Sequence, residues 1–191
     1  MEKATLIILA GGKSSRFGRD KSLLELGGKR IVESTVEKCL PLFDEVLISS
    51  NSESKFGIPG IKELSDTYKG MGPMGGMHSG LSASRNDAVF FAACDMPYFS
   101  TELAMELLKR AEGHDICIAR NGEKIEPLFG VYRKSLLPLI TQLLEAGERS
   151  MRSLLERADT EYFDCSAWLS ENGAGNAFYN INYQEDFENL N

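Results

Sequence analysis

The stretch Ala4-Thr5-Leu6-Ile7-Ile8-Leu9-Ala10-Gly11-Gly12-Lys13-Ser14-Ser15-Arg16-Phe17-Gly18-Arg19-Asp20-Lys21 decides how the rest of the chain is read. It opens with an apolar run, Ala4 to Ala10, that ends in paired glycines. A strand apolar on both faces must be covered on both, which is the environment of a parallel sheet flanked by helices. From Gly12 to Asp20 the residues are polar and glycine-rich, so they form a loop at the carboxyl end of that strand. Paired glycines let backbone N–H groups approach a phosphate closely, because no Cβ stands in the way. Four cations follow, Lys13, Arg16, Arg19 and Lys21. Arginine grips phosphate oxygens in pairs, and lysine adds a compact charge. The spacing is not that of a Walker A loop, because Lys21 does not stand directly after a glycine.

Outward from this stretch, strands and helices alternate. The positions Ile31, Val32, Val36, Cys39, Leu40 and Phe43 predict a helix over 31–43. Residues 45–49 read as a second strand. Asp66 to Gly80 holds five glycines, one proline and three methionines, which predicts a long loop leading into a helix. Residues 88–94 form the clearest buried strand, stopping at Asp95-Met96-Pro97; Ser100 or Thr101 then caps a helix running through Lys109. Further strands are predicted at 115–119, at 127–132 with Pro127 at its start, and near Tyr162. Helices are predicted near 136–146, 150–157 and 183–190. These strands are too apolar for a one-sided sheet, so the fold expected is α/β and three-layered, a mostly parallel sheet with helices on both faces.

The 191 residues suit one domain, 1–191, with no repeat or linker dividing it. Apolar residues at 42% and charged residues at 26% exclude a disordered chain. A net charge of −7 with scattered cations excludes a nucleic-acid binder. No stretch approaches about 18–20 apolar residues and the opening is too short for a secretory signal, so a cytoplasmic protein with no membrane span is expected. Cys39, Cys94, Cys117 and Cys165 show no C-x-x-C spacing, and His78 and His114 have no partner at metal spacing. A disulfide framework or zinc site is therefore not expected.

Ligands of open α/β sheets bind beyond the carboxyl ends of the strands. The segments 11–21 and 95–97 both begin where a strand ends, so they predict one crevice. An aspartate at the tip of a buried strand, as at Asp95, suits holding Mg²⁺ over a triphosphate; its plainer reading is a turn or capping residue. Gly70, Gly72 and Gly75 formally match G-x-G-x-x-G, but no strand runs directly into them and Pro73 interrupts. A backbone-contacting loop for a flat base fits better, with Asp66 available to a base or ribose. Asn180 and Asn182, if extended, point the same way and offer paired amides to one polar ligand. Alternatively Asn182 caps the last helix with Glu185. Ser14, Ser15 and Ser79 lack the setting of a hydrolase nucleophile.

Taken in order, Leu9 to Lys21, Asp66 to Gly75, Cys94 to Pro97 and Asn180 to Asp186 resemble the motifs of the molybdenum cofactor guanylyltransferase family. Those motifs read LAGG-x-S-x-R-[MF]-G-x-D-K, D…GP-x-x-G, C-D-x-P and N-[IV]-N-x-x-[ED]-[DE], and the resemblance spans nearly the whole chain. It implies the Rossmann-like fold of nucleotide-diphospho-sugar transferases. It also implies transfer of GMP from MgGTP to the terminal phosphate of molybdopterin, with release of pyrophosphate. Carried onto this sequence, Leu9, Ala10 and Gly11, with Gly12 beside them, would line the nucleotide site. Lys21 would bind the phosphates, and Arg16 would neutralise charge on the α-phosphate and leaving group. Asp66 would contact the nucleoside, Asp95 would ligate Mg²⁺, and Asn180 and Asn182 would lie in the pterin half. GTP and molybdopterin are the implied partners, with transient contacts to proteins that supply and receive the cofactor.

Such transfers rest on positioning and charge neutralisation, which agrees with the lack of a nucleophile triad. Departures from the pattern are Phe17, where methionine is commoner, and Met74-Gly75, where Leu-Ala is commoner. The segment Ser49-Ser50-Asn51 leaves open whether Ser49 or Asn51 reads the base. The alternatives are a CTP-dependent cytidylyltransferase for the same cofactor, a sugar-phosphate nucleotidyltransferase, and a non-catalytic nucleotide-binding carrier.

Overall fold

Strand β1 (Ala4–Leu9) is buried along its whole length, as an apolar run on both faces requires. The computed structural model describes residues 2–11, 20–52, 54–181 and 183–188. After β1 come a small hairpin, β2 (Glu25–Leu26) with β3 (Lys29–Arg30), and then β4 (Glu45–Ser49) and β5 (Lys62–Leu64). The remaining strands are β6 (Ala88–Ala93), β7 (Ile116–Asn121), β8 (Lys124–Arg133) and β9 (Thr160–Asp164). Among the described residues seven strands form one sheet in the order β5-β4-β1-β6-β8-β7-β9. β1 pairs parallel with β4 and β6, β4 with β5, and β7 with β9. Only β8 runs against its neighbours β6 and β7.

The layers follow from side-chain alternation. On β1, Leu6 and Ile8 face one cluster, which takes Val32 and Val36 of α1 (Ile31–Cys39), Leu103 of α3 (Thr101–Arg110) and Leu169 of α6 (Ser166–Glu171). Ile7 and Leu9 face the other, with Met77 of α2 (Pro73–Ala83), Ile140 of α4 (Leu137–Glu145) and Leu154 of α5 (Met151–Leu155). A last short helix, α7 (Gln184–Glu188), follows the tail. The structure is thus the expected α/β sandwich with a mostly parallel sheet.

Several element boundaries differ from the sequence expectation. The predicted loop through Gly80 is helical from Pro73 onward, with Pro73 in the first turn where its missing N–H costs nothing. A Cβ on Gly75 would lie 2.5 Å from the Tyr68 carbonyl, and one on Gly80 would lie 2.5 Å from Ile7 Cδ1. Gly80 lets the helix backbone settle onto the sheet and Gly75 makes room for the Tyr68 carbonyl; neither marks a turn. α1 stops at Cys39, leaving Leu40 and Leu42 exposed, so the helical spacing overran by four residues. β8 begins at Lys124, and Pro127 lies inside it, where the pairing with β7 shifts between Ile118 and Ala119. Such an irregularity tolerates a proline, and the Tyr132 hydroxyl donates to the Pro127 carbonyl at 2.6 Å. The four cysteines are free thiols, and no helix among the described residues is long and apolar enough to cross a membrane.

Candidate functional site

A cleft of about 230 Å³ lies beyond the carboxyl ends of β1 and β6. β1 supplies Leu9, with Ala10 and Gly11 following it; β6 supplies Ala93, with Cys94 and Asp95 following it. Asp20 and Lys21 come from the helical turn Lys21–Leu23 and its cap, Pro73 from the start of α2, and Leu128 from β8. Five residues singled out from the sequence therefore meet in one place: Leu9, Ala10, Gly11, Lys21 and Asp95. Gly12, Arg16 and Asn182 lie outside the described residues.

Backbone pairing holds these strand ends in register. Ala10 N–H donates to the Ser49 carbonyl at 2.7 Å, and Cys94 N–H donates to the Leu9 carbonyl at 3.1 Å. Leu9 and Ala10 are thereby held from both sides. A Cβ at Gly11 would stand 2.6 Å from Asn51 Nδ2, so a glycine is needed where the Asn51 amide comes down. Asn51 itself has φ of 59°, a left-handed conformation that asparagine tolerates better than most residues.

The two residues left open as base readers stand in different settings. Ser49 is buried and its hydroxyl donates to Asp66 Oδ1 at 2.8 Å. Asn51 is exposed and its amide stands against the cleft-lining Gly11. Asp66 is buried beneath the first turn of α2, where Cβ atoms on Gly75 and Gly76 would be 3.7 and 3.6 Å from its oxygens. Burial pushes the Asp66 carboxyl above the usual range, against the Ser49 hydrogen bond.

Asp95 is half-buried, and that burial raises its carboxyl pKa, with the Lys21 charge pulling the other way. Among the described residues no cluster of three or more His, Cys, Asp or Glu side chains could hold a metal alone. Asp95, facing a phosphate-sized cleft, nevertheless fits Mg²⁺, which takes one or two carboxylates and completes its shell with phosphate oxygens and water. The Cys94 thiol is pushed up to about 12 by burial and by Asp95, so it is not a nucleophile at neutral pH.

The tail reaches the same strand end. Ile181 N–H donates to the Asp95 carbonyl at 3.1 Å, which brings Asn180 alongside. The buried Asn180 Oδ1 has no protein hydrogen-bond partner among the described residues. His78 packs edge-on against Tyr68 with centroids 4.8 Å apart, and His114 Nδ1 pairs with Asp159 at 3.0 Å; neither lines the cleft.

Sequence reading took only Ser50 and Asn51 from the loop between β4 and β5, and missed Lys55 and Glu63. Lys55 Nζ lies 2.6 Å from Asp20 Oδ2 at the cleft mouth. Glu63 of β5 accepts from the backbone N–H groups of Lys55, Phe56 and Gly57 at 2.8, 2.9 and 2.9 Å, and from Ser50 Oγ at 3.1 Å. This loop too leaves the carboxyl end of a parallel strand, so the positional rule used for the other two segments would have pointed to it.

Residues 6–162 match the family model described as the MobA-like NTP transferase domain. The chain is 38% identical over 187 residues to a protein of Peptoclostridium acidaminophilum named probable molybdenum cofactor guanylyltransferase, covering 94% of this chain and 85% of that one. It is 37% identical to the molybdenum cofactor guanylyltransferase of Vibrio parahaemolyticus, covering 94% and 91%. Among solved structures it resembles molybdopterin-guanine dinucleotide biosynthesis protein A of Archaeoglobus fulgidus, with TM-score 0.85 and 26% identity over 97% and 96% of the two chains.

Proposed function

Since the chain belongs to the MobA-like NTP transferase family, whose members here are nucleotidyltransferases, we propose that it moves GMP from GTP to the terminal phosphate of molybdopterin. The products are pyrophosphate and the guanine dinucleotide form of the molybdenum cofactor. The observation that carries this reading is the single cleft joining the Leu9–Gly11 strand end, Lys21 and Asp95, with the tail bonded through Ile181 N–H to the Asp95 carbonyl. The cleft suits a nucleoside triphosphate, and the tail brings the buried Asn180 amide oxygen, unpartnered among the described residues, near the strand end that carries Asp95.

In the reaction a terminal phosphate oxygen of the acceptor attacks the α-phosphorus of GTP. The bond from that phosphorus to the bridging oxygen breaks, and pyrophosphate leaves with the electron pair. No protein nucleophile takes part, and the inert Cys94 thiol agrees. Leu9, Ala10 and Gly11 cradle the nucleotide, and Asn51 meets the base across Gly11. Asp66 orients Ser49 and the start of α2 on the nucleoside side. Lys21 binds the phosphates, and Arg16 offsets charge on the α-phosphate and the leaving group. Asp95 is the carboxylate that would hold Mg²⁺, whose chemistry is to neutralise the triphosphate oxygens. Asn180 and Asn182 receive the pterin. The chain works as one cytoplasmic domain, 1–191, in transient contact with the proteins that supply and receive the cofactor.

The test is pyrophosphate release with Mg²⁺ and GTP, CTP, ATP or UTP, with and without molybdopterin. Release from GTP only when molybdopterin is present supports the proposal. Release from CTP instead would make the product a cytosine dinucleotide. GTP binding without release would make the chain a carrier.

A further inference from the structure

The β4–β5 loop touches the chain on both sides of the cleft's nucleotide end. Its first residues place Asn51 Nδ2 against Gly11, and four residues later Lys55 Nζ meets Asp20 Oδ2 at 2.6 Å. Glu63 pins the loop between these points through three backbone N–H groups and the Ser50 hydroxyl. Asp20 divides its carboxylate. Oδ1 accepts from Ser22 N–H at 3.1 Å and Ser22 Oγ at 2.6 Å, capping the turn that carries Lys21. Oδ2 is left for Lys55. Lys21 thus sits on a short turn whose cap is tied to a loop pinned by Glu63, and that loop also sets Asn51 against Gly11.

We propose that Lys55, acting through Asp20, is a positioning residue that sets Lys21 against Gly11 for triphosphate binding. This rests on the guanylyltransferase reading for the identity of the nucleotide. Lys55 does not line the cleft, so it acts by holding the cap. The ion pair is partly exposed, at 19% and 42% for the two side chains, and pairs of that exposure add little to stability. Its consequence therefore lies in geometry. A group misplaced by about 1 Å can lose up to ~10²-fold of its effect.

The test is a double-mutant cycle on the full chain, reading MgGTP affinity by calorimetry beside KM and kcat. Lys55→Ala is expected to weaken MgGTP and raise KM about tenfold, with kcat within about twofold and the melting temperature unchanged. Asp20→Asn keeps an acceptor for Ser22, removes the charge, and is expected to match it. The double variant should be no weaker than the weaker single one, and Lys55→Arg should restore affinity. Multiplying effects, near a hundredfold in the double variant, would overturn the proposal, because Lys55 would then act on the phosphates independently of Asp20. Unchanged affinity in Lys55→Ala would overturn it as well. The affinity cycle needs no turnover, so a chain that bound MgGTP but released no pyrophosphate would remove guanylyl transfer alone.

Discussion

On one side of the sheet β5, β4, β1 and β6 run parallel, and each carboxyl end leads directly into the cleft or the loops that frame it. β1 leads to Gly11, β6 to Asp95, β4 to Asn51 and β5 to Asp66. On the other side β8 reverses direction, and among the residues lining the cleft it and β7 give only Leu128. The middle of β8 is packing instead, with Phe129, Val131 and Tyr132 buried. Parallel strands joined by crossovers bring every loop of one kind to the same edge, whereas an antiparallel strand sends its end away. Damage to the two regions should therefore be read by different instruments, kinetics on the parallel side and stability on the other.

The largest effect is expected at a parallel strand end. Asp95→Ala should cut turnover by ~10²–10³-fold or more, the scale of losing one charge-stabilising group in an active site. The fold should survive, because Asp95 sits beyond β6 and its contact with the tail uses the backbone carbonyl. Near-normal turnover in a well-folded variant would remove Asp95 from the chemistry and blur the contrast between the regions.

Next comes a substitution in β8. A Cβ at Gly130 would stand 2.6 Å from Ile118 Cγ2 and 2.7 Å from the Cys117 carbonyl. Gly130→Ala should destabilise by about 2–3 kcal/mol through overpacking, while KM for GTP stays unchanged. Its counterpart on the parallel side is Gly76→Ala, whose Cβ would be 2.9 Å from both Leu9 Cδ2 and Ser49 Oγ. That variant should displace Ser49 from Asp66 and raise KM. Thermal unfolding and GTP kinetics on both proteins check the pair, and a KM change in Gly130→Ala at unaltered stability would contradict the division.

This contrast also explains what the sequence could show. Strands β1, β4 and β6 are buried on both faces, so their apolar runs were unmistakable and their ends located Gly11 and Asp95. β5 has three residues, and β2 and β3 have two each, too short for any period to register. The glycines of α2 looked like a loop because a glycine that admits a neighbouring backbone and one that allows a turn read alike. The link from Lys55 to Asp20 spans 35 positions, and nothing local announces a pair made by tertiary folding. The different settings of Ser49 and Asn51 likewise depend on a tertiary contact, the bond from the Ser49 hydroxyl to Asp66.

The smallest effect is expected at Glu63, which sharpens the comparison because it lies on the functional side yet should respond in stability. Burial acts to raise its carboxyl pKa, but the N–H groups of Gly57, Phe56 and Lys55 and the Ser50 hydroxyl outweigh it, holding the group below its ordinary value of 4.5. A carboxyl whose pKa is lower folded than unfolded stabilises the fold above the unfolded value, and that contribution disappears as pH falls through the folded value. Glu63→Gln keeps one acceptor oxygen and loses the other, so it should cost about 1–2 kcal/mol at pH 7. The gap between wild type and variant should close as pH drops from 4.5 downward. Urea unfolding at a series of pH values from 7 to about 3 measures it, spanning the carboxylate range. No gap even at pH 7 would mean that the shape of the side chain, which glutamine keeps, holds the loop and its charge does not. The backbone donors gathered on Glu63 would then be only a packing arrangement, and the loop that carries Asn51 and Lys55 would owe its rigidity to Phe56, buried beneath it.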